Sequence, residues 1–567
     1  MTTKKTRLLI GAAAVAASAA IALSGCSGSG GKNSGAAGGT STVTLFSGQV
    51  GNFTENFNPL SPTGSGLQPT NGVIYEPLFY YNKAKAGNPV PLLGTSFKWN
   101  GDGTELTVKV RQGVKWSDGK PETADDVVYS LNLVSNNPAL NTSGQKWVAK
   151  KTDDSTVVID FPATAFTLEP QVLGNEPIVP ESIWKSIPDP TKTTNVKPVG
   201  TGPYMLKSFT PQSFVLEKNP NYWGKGDQAP KVDQVRYISL SNADAATSAL
   251  QSGQVDYMGS FLPTLKQIMA QHKNLSYSNS PQATTALFTC SNPGLGCTGP
   301  QTDPAVRQAM YYAMDRTQLN NQAAAGFSTP ASPALILNTV NKDQITNPDY
   351  LTVPQSADVA KAKSLLEADG WTLGSNGYYV KDGKELDLSI NVVSGWTDYD
   401  TICTLLQGQF KRAGIKLSVN QVAQNAWTQA EVSGKYQMSL NSINMGPSSN
   451  PYFQYSQYLS SAATAKVGGS ATTNVSRYSN PAVDAAIKTL ASTNDKTKEQ
   501  AAYKTIQDAI VKDMPYVPVY VNSALAEYNN SHATGWPSQD NQYAFPLPWG
   551  GNWGVGIVLK TIRPVGK

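Results

Sequence analysis

An apolar run of about 15 residues, Leu8 to Leu23, follows three basic side chains, Lys4, Lys5 and Arg7. A membrane-spanning helix needs about 20 apolar residues, so this run is short for a span, and its charged start and apolar middle are those of an export signal. No later segment is long and apolar enough to cross a bilayer. The rest of the 567-residue chain is therefore expected to fold outside the cytoplasm as a water-soluble body. That body has ample length for large cores, roughly three or four domains' worth. With 40% apolar and 15% charged residues it is neither a disordered chain nor a multi-span membrane protein.

The leader ends in Leu23-Ser24-Gly25-Cys26, which resembles a bacterial lipobox. In that reading residues 1–26 are a lipoprotein signal and Cys26 becomes the acylated first residue. Residues 27–41 are rich in Gly, Ser and Ala, the composition of a flexible tether. Acyl chains contribute about 0.8 kcal/mol per buried CH₂, so several of them anchor stably. Three of the excess positive charges lie in the leader, which leaves 42 basic against 40 acidic side chains. A near-neutral body argues against nucleic acid as a partner, because phosphate binding needs a basic footprint. Oxidising conditions favour a local disulfide between Cys290 and Cys297, seven apart in a Gly/Pro loop. Cys403, in an apolar helical pattern, is expected to be a buried free thiol. Patterns for zinc proteases, P-loops and serine hydrolases are absent from the sequence, and no cofactor or metal is implied.

Along the body, Thr42–Phe46, Glu105–Arg111, Thr156–Phe161, Leu386–Val392 and Met514–Tyr520 read as strands. Helices are expected from Thr123, an N-cap followed by Asp125 and Asp126; from Asp303-Pro304 to about Gly326; over 356–369 and 401–412; from Asn480-Pro481; and over 496–512. Asp125 and Asp126 point about 100° apart on a helix and do not converge on one reacting atom. They read as scaffold, and Arg307, Asp315 and Arg316 as ion-pairing scaffold. Strands alternating with helices make this an α/β chain.

Four segments taken in order carry a resemblance. They are Val110–Tyr129; Gly200-Thr-Gly-Pro-Tyr204 with Asn219-Pro-Asn-Tyr-Trp223; Asp303–Arg316; and Arg477–Asp484. Together they resemble the family 5 extracytoplasmic solute-binding proteins of ABC importers, the oligopeptide- and dipeptide-binding group. The resemblance covers about residues 42–560. It implies a two-lobed periplasmic-binding-protein-like clamp of type II. Lobe one would comprise 42–84, 199–286 and 523–567, with a subdomain at 85–198. Lobe two would be 287–522, with hinges near 284–290 and 518–524. It also implies a monomer that holds a small solute between the lobes and delivers it to a permease with ATPase subunits. Its only hold on the membrane would be the lipid anchor.

Peptide binders of this family hold the ligand's ammonium with an acid in the stretch corresponding to 441–453. Here that stretch has none, and from Val432 through Val483 there is no Asp or Glu. Ser449 or Asn450 would stand at that position, and an unpaired buried ammonium costs several kcal/mol. A ligand held there is expected to bind with little dependence on an α-amino group. Two solutes fit: a peptide, held mainly by backbone hydrogen bonds or with its amine held elsewhere (Asp398, Asp400 and Glu431 are candidates), or an uncharged oligosaccharide. Trp396, Trp427, Asn444, Asn450, Tyr452 and Phe453 supply the amides and flat rings that sugars need. The resemblance adds Asn52, Phe53 and Phe288 as ligand contacts. A two-carboxylate hydrolase has no motif in the sequence, so the chain is expected to bind without chemistry.

Cys26→Ser is expected to move the protein from the membrane fraction to the soluble fraction. Retention at the wild-type level would rule out the lipobox.

Overall fold

The computed structural model describes residues 40–61, 70–141, 145–549 and 553–566. The leader, Cys26 and the tether as far as Gly39 lie outside them. Among the described residues no helix is long and apolar enough to cross a membrane.

The main sheet is built from β1 (Thr42–Phe46), β2 (Tyr204–Thr210), β3 (Ser213–Lys218), β4 (Gln234–Ile238), β5 (Tyr257–Met258), β6 (Leu275–Thr289), β7 (Asp387–Val393), β8 (Lys416–Val422), β9 (Met438–Asn444) and β10 (Tyr516–Asn529). Their spatial order is β8-β7-β9-β6-β10-β5-β1-β4-β3-β2. The antiparallel pair β6–β10 stands at the centre, running from Leu275↔Asn529 to Phe288↔Tyr516. At one end β6 pairs with β9; at the other β10 pairs with β5. The two strands therefore join two halves of the molecule. Side chains of a strand alternate between faces. On β6, Ala286 and Phe288 enter a core cluster with Tyr455 and Tyr516, while Leu287 enters another with Val306 and Met310. Further along β10, Leu525 enters a cluster with Phe46, and Ala526 and Tyr528 one with Val43 and Tyr237. Register shifts at Pro281/Ala283 and Thr285/Ala286 interrupt the β6–β10 ladder midway, and such bulges bend and twist a strand.

A separate four-stranded sheet, in the order Gly94–Trp99, Glu105–Val110, Thr156–Asp160 and Val148–Asp153, carries its own core with helix α1 (Ala124–Asn136). The expected alternation of Glu105–Val110 appears as buried Leu106, Val108 and Val110. The carboxylate of Asp126 accepts from Thr123 N at 2.9 Å and Glu181 N at 2.9 Å, closing a capping box. Asp125 pairs with Lys151 at 2.9 Å. Neither acid is part of a catalytic pair.

The second half holds α2 (Pro304–Ala313), α3 (Arg316–Ala323), α4 (Val359–Ala368), α5 (Thr397–Arg412), α6 (Gln424–Ser433), α7 (Pro451–Tyr458), α8 (Pro481–Ala491) and α9 (Lys496–Asp513). The single helix expected from Asp303 to about Gly326 is two. Asp315 leaves helical geometry and caps α3 by accepting from Gln318 N at 2.9 Å. The ion pairs expected of Arg307 and Arg316 are also corrected. The Arg307 guanidinium donates to the carbonyls of Asp513 and Gln301, and Arg316 to those of Pro518, Tyr311 and Pro354. Arg477 likewise donates to the carbonyls of Glu431, Val432 and Val475. Backbone carbonyls left bare in a core are costly, and a guanidinium with five donors satisfies several at once.

The second shared segment has a steric reason. A Cβ on Gly200 would lie 1.9 Å from Ile74 O, and one on Gly202 2.2 Å from Val73 O. Asn219 Nδ2 then donates to Gly202 O at 2.9 Å, and Tyr222 and Trp223 both donate to the buried Glu76 carboxylate. Cys290 and Cys297 form a disulfide with Cα atoms 5.4 Å apart, and Cys403 is a buried free thiol on α5.

Arg316→Met is expected to lower unfolding stability by about 3 kcal/mol in urea titrations, since the carbonyls of Pro518, Tyr311 and Pro354 lose charged donors together. A loss below about 1 kcal/mol would mean that other donors replace it.

Candidate functional site

Two cavities adjoin beside the middle of the β6–β10 ladder. The first, about 210 Å³, is lined by Gly259, Ser260 and Phe261 from one half and by Ala324, Asp398 and Tyr520 from the other, with Asn522 to Leu525 of β10 between. The second, about 170 Å³, is lined by Lys83, Asn444, Met445, Gly446 and Phe545. Gln282, Leu547 and Trp549 line both. A larger open groove of about 640 Å³ runs along α1, but Asp125, Tyr129, Asn136 and Glu181 all belong to the outer sheet's part of the chain. A site that reports on two halves at once needs walls from both, and the adjoining pair has them.

Local packing sets these walls. Gly259 lets the segment 547–549 approach, because a Cβ there would lie 2.8 Å from Pro548 and 3.1 Å from Trp549. Ser260 N donates to the Glu527 carboxylate of β10 at 3.2 Å. Burial raises the Glu527 acid well above the ordinary carboxylate range. Gly446, at φ +81°, faces the Cβ of Phe453, and this close approach shapes the loop that carries Asn444 and Met445.

Asp398 is the charged side chain of the first cavity and Lys83 that of the second. Burial, with a smaller contribution from Asp400, raises the Asp398 carboxyl; burial pulls the Lys83 ammonium down to about 8. The other surfaces are amides (Gln282, Asn444, Asn522), small hydroxyls (Ser260, Ser523) and rings (Phe261, Tyr520, Phe545, Trp549). This set can hydrogen-bond and stack on a solute, and it presents an acid and a base in neighbouring spaces. It offers no nucleophile–base pair, and among the described residues no group of His, Cys, Asp and Glu is placed to hold a metal.

Of the ligand contacts expected from sequence, Asn444 lines the cleft. Asn450 caps α7, accepting from Tyr452 N at 3.0 Å, and accepts again from Tyr503 Oη; Ser449 precedes it. Its amide oxygen is thus committed to the fold. Tyr452 and Phe453 lie ring against ring on α7, 5.4 Å apart. Phe288 is core, 4.7 Å from Tyr516, and Phe53 is core, 5.0 Å from Phe214. Asn52 is exposed and accepts from Gln212. Trp396 and Trp427 meet edge to face at 5.7 Å, Trp427 buried and Trp396 36% exposed, outside both cavities. Of the three acids, Asp398 lines the cleft. Asp400 accepts from Gln421, and Glu431 is buried in α6 with Asn441 donating to both of its oxygens. The sequence reading missed Lys83, Gln282 and Trp549. Trp549, a large ring in Phe545-Pro-Leu-Pro-Trp-Gly-Gly, was the available signal, since a loop of that composition cannot bury it in a regular element.

A family model described as bacterial extracellular solute-binding proteins, family 5 Middle, matches residues 88–465. The glutathione-binding protein GsiB of Salmonella typhi is 25% identical over 507 residues, covering 86% of this chain and 92% of that one. A periplasmic oligopeptide-binding protein of an oligopeptide ABC transporter from Thermotoga maritima has a TM-score of 0.82 at 25% identity, over 92% of this chain and 99% of its own. The mannohexaose-bound structure of the same Thermotoga protein has a TM-score of 0.73, over 93% and 99%.

Glu431 generates a pH prediction. Burial raises its acid to about 7 against the ordinary 4.5, with the Asn441 hydrogen bonds opposing. A folded-state value above the unfolded one means the native state keeps a proton the unfolded chain has lost. Stability therefore falls as pH rises from about 4.5 to about 7, by about 3 kcal/mol. Glu431→Gln is expected to flatten that fall and to be more stable than wild type at pH 8 in urea titrations. An unchanged pH profile would show that Glu431 is ionised in the fold.

Proposed function

The chain belongs to the bacterial extracellular solute-binding proteins of family 5, and from that premise we propose that it captures a short peptide between two lobes and hands it to an ABC permease. It is a binding protein and not an enzyme, as are the relatives it matches. On this reading Cys26 carries the lipid anchor, the tether is 27–41, and the body works at the outer face of the membrane. Lobe one is 42–84, 199–286 and 523–567 with its subdomain at 85–198, and lobe two is 287–522. The hinge is the middle of the β6–β10 ladder. The observation that carries the peptide reading is Asp398, an acid in the cleft where the acid-free segment 432–483 offers none. Asp398 is half-buried and accepts backbone hydrogen bonds beside it, and a peptide's ammonium would supply the counter-charge it lacks.

Solute contacts made to both lobes only on closure shift the population to the closed state.

A second reading, an oligosaccharide, is favoured by the mannohexaose in that relative and by Trp549 and Phe261 beside the amides of Gln282, Asn444 and Asn522.

Titration calorimetry separates the two with random pentapeptide libraries, free at the N-terminus or N-acetylated, and mannohexaose. The peptide reading expects the free-amine library to bind at least tenfold more tightly than the acetylated one, and Asp398→Asn to erase that difference. Binding of mannohexaose alone would replace peptide with sugar. Equal binding of the two libraries would remove Asp398 as the amine holder.

A further inference from the structure

We infer that Lys83 is a subsite for a carboxylate of the bound solute, in the cavity that adjoins the one holding Asp398. This rests on the solute-binding reading above and adds the charge of the ligand at its second end.

Lys83 is the charged side chain among those lining the second cavity. Among the described residues it has neither a hydrogen-bond acceptor nor a carboxylate at ion-pair distance, and burial alone lowers its ammonium. Lys83 is half-buried, and a partly desolvated cation without a counter-charge is destabilising, whereas a methionine would fill the same space without that penalty. The position is also built. Asn82 Oδ1 accepts from Ala84 N at 2.9 Å, a turn with Lys83 at its centre, and Asn82 Nδ2 donates to Gln542 O at 2.9 Å. The backbone carrying Lys83 is thereby tied to the segment that continues into Phe545, Leu547 and Trp549. Lys85, two residues on, is exposed and would serve solubility equally well.

The neighbours decide the class of anion. Gln282 and Asn444 can each donate an amide N–H to the remaining lone pairs of a carboxylate. No arginine lines either cavity, and phosphate sites are usually built from arginine forks or helix N-termini. A peptide presents its C-terminal carboxylate to Lys83 when its ammonium lies at Asp398. An oligosaccharide reaches both cavities with a carboxylate only if it contains a uronic acid.

The test uses random pentapeptide libraries as free acids and as C-terminal amides, with wild type, Lys83→Met and Lys83→Arg, each checked by thermal melting for its fold. Wild type is expected to bind the free acids at least tenfold more tightly than the amides. Lys83→Met should lose that preference by weakening the acids alone, and Lys83→Arg should keep part of it. Equal binding of acids and amides by wild type, or a preference that survives in Lys83→Met, overturns the assignment. If neither library binds, the peptide reading has failed separately, and the same variants are titrated with mannohexaose and a hexamer of uronic acid. Preference for the uronide, lost in Lys83→Met, keeps the assignment; equal affinity overturns it. In a third arm, mass measurement of the solute released from protein purified from its host must show an acidic group, and a neutral solute overturns the assignment whatever its class.

Discussion

The β6–β10 ladder is the constraint on which the rest depends. It is the central pairing of the main sheet, and β10 sends side chains into four core clusters between Tyr516 and Tyr528. Both ends of the pair are therefore anchored in packed interiors that cannot deform gradually. The middle differs. There the two register shifts of β6 fall, and Gln282, Asn522 and Ser523 face a cavity instead of a core. The strand pair is thus packed at its ends and interrupted at its centre, beside the candidate site. In the proposed reading this interrupted stretch is the hinge, and it shares Gln282, Asn522 and Ser523 with the candidate site, so a solute bound there would act on it directly.

The buried arginines brace the second half around the start of β10. Arg307 and Arg316 reach carbonyls at Asp513 and Pro518, on either side of the point where β10 begins. Arg477, held at φ +57°, ties α6 to the loop before α8. Each guanidinium replaces several backbone partners that irregular chain ends would otherwise leave bare. These residues lie in the segments that carried the family resemblance, and their job is to close backbone accounts around β10 without touching the cleft. What looked like a functional signature is the price of ending helices inside a core.

Legibility in the sequence followed the range of the interactions. Thr42–Phe46, α1 behind Thr123 and α8 behind Asn480-Pro481 depend on alternation and caps within a few residues, and all three were readable. The break at Asp315 was missed because its capping role competes with an otherwise continuous apolar pattern. The site was mostly not readable. Its walls come from residues near 83, 260, 282, 398, 444, 522 and 547, and no spacing rule links them. Aromatic and amide composition pointed at 441–453, where Asn450 proved to be a helix cap and Phe453 a support for Gly446. Composition cannot separate a ring that packs a core from one that faces a solute, because both need a flat apolar surface. Asp398 was among three candidate acids. What distinguishes it is that Glu431 is satisfied by Asn441 and Asp400 by Gln421, which only the fold reveals.

The proposed placement of Asp398 and Lys83 gives the clamp a selection rule based on desolvation. In an open arrangement both charges are hydrated at little cost. Closure around an empty cleft removes water from each, and every uncompensated ion then costs several kcal/mol. A solute with an ammonium and a carboxylate at matching spacing removes both penalties and contributes two charge-assisted hydrogen bonds. One that matches a single charge leaves the other exposed to the full cost. Differential stabilisation of the closed state, the quantity that drives a population shift, then depends on satisfying both ends together. The aromatic and amide walls between them, which tolerate many side chains, do not need to discriminate.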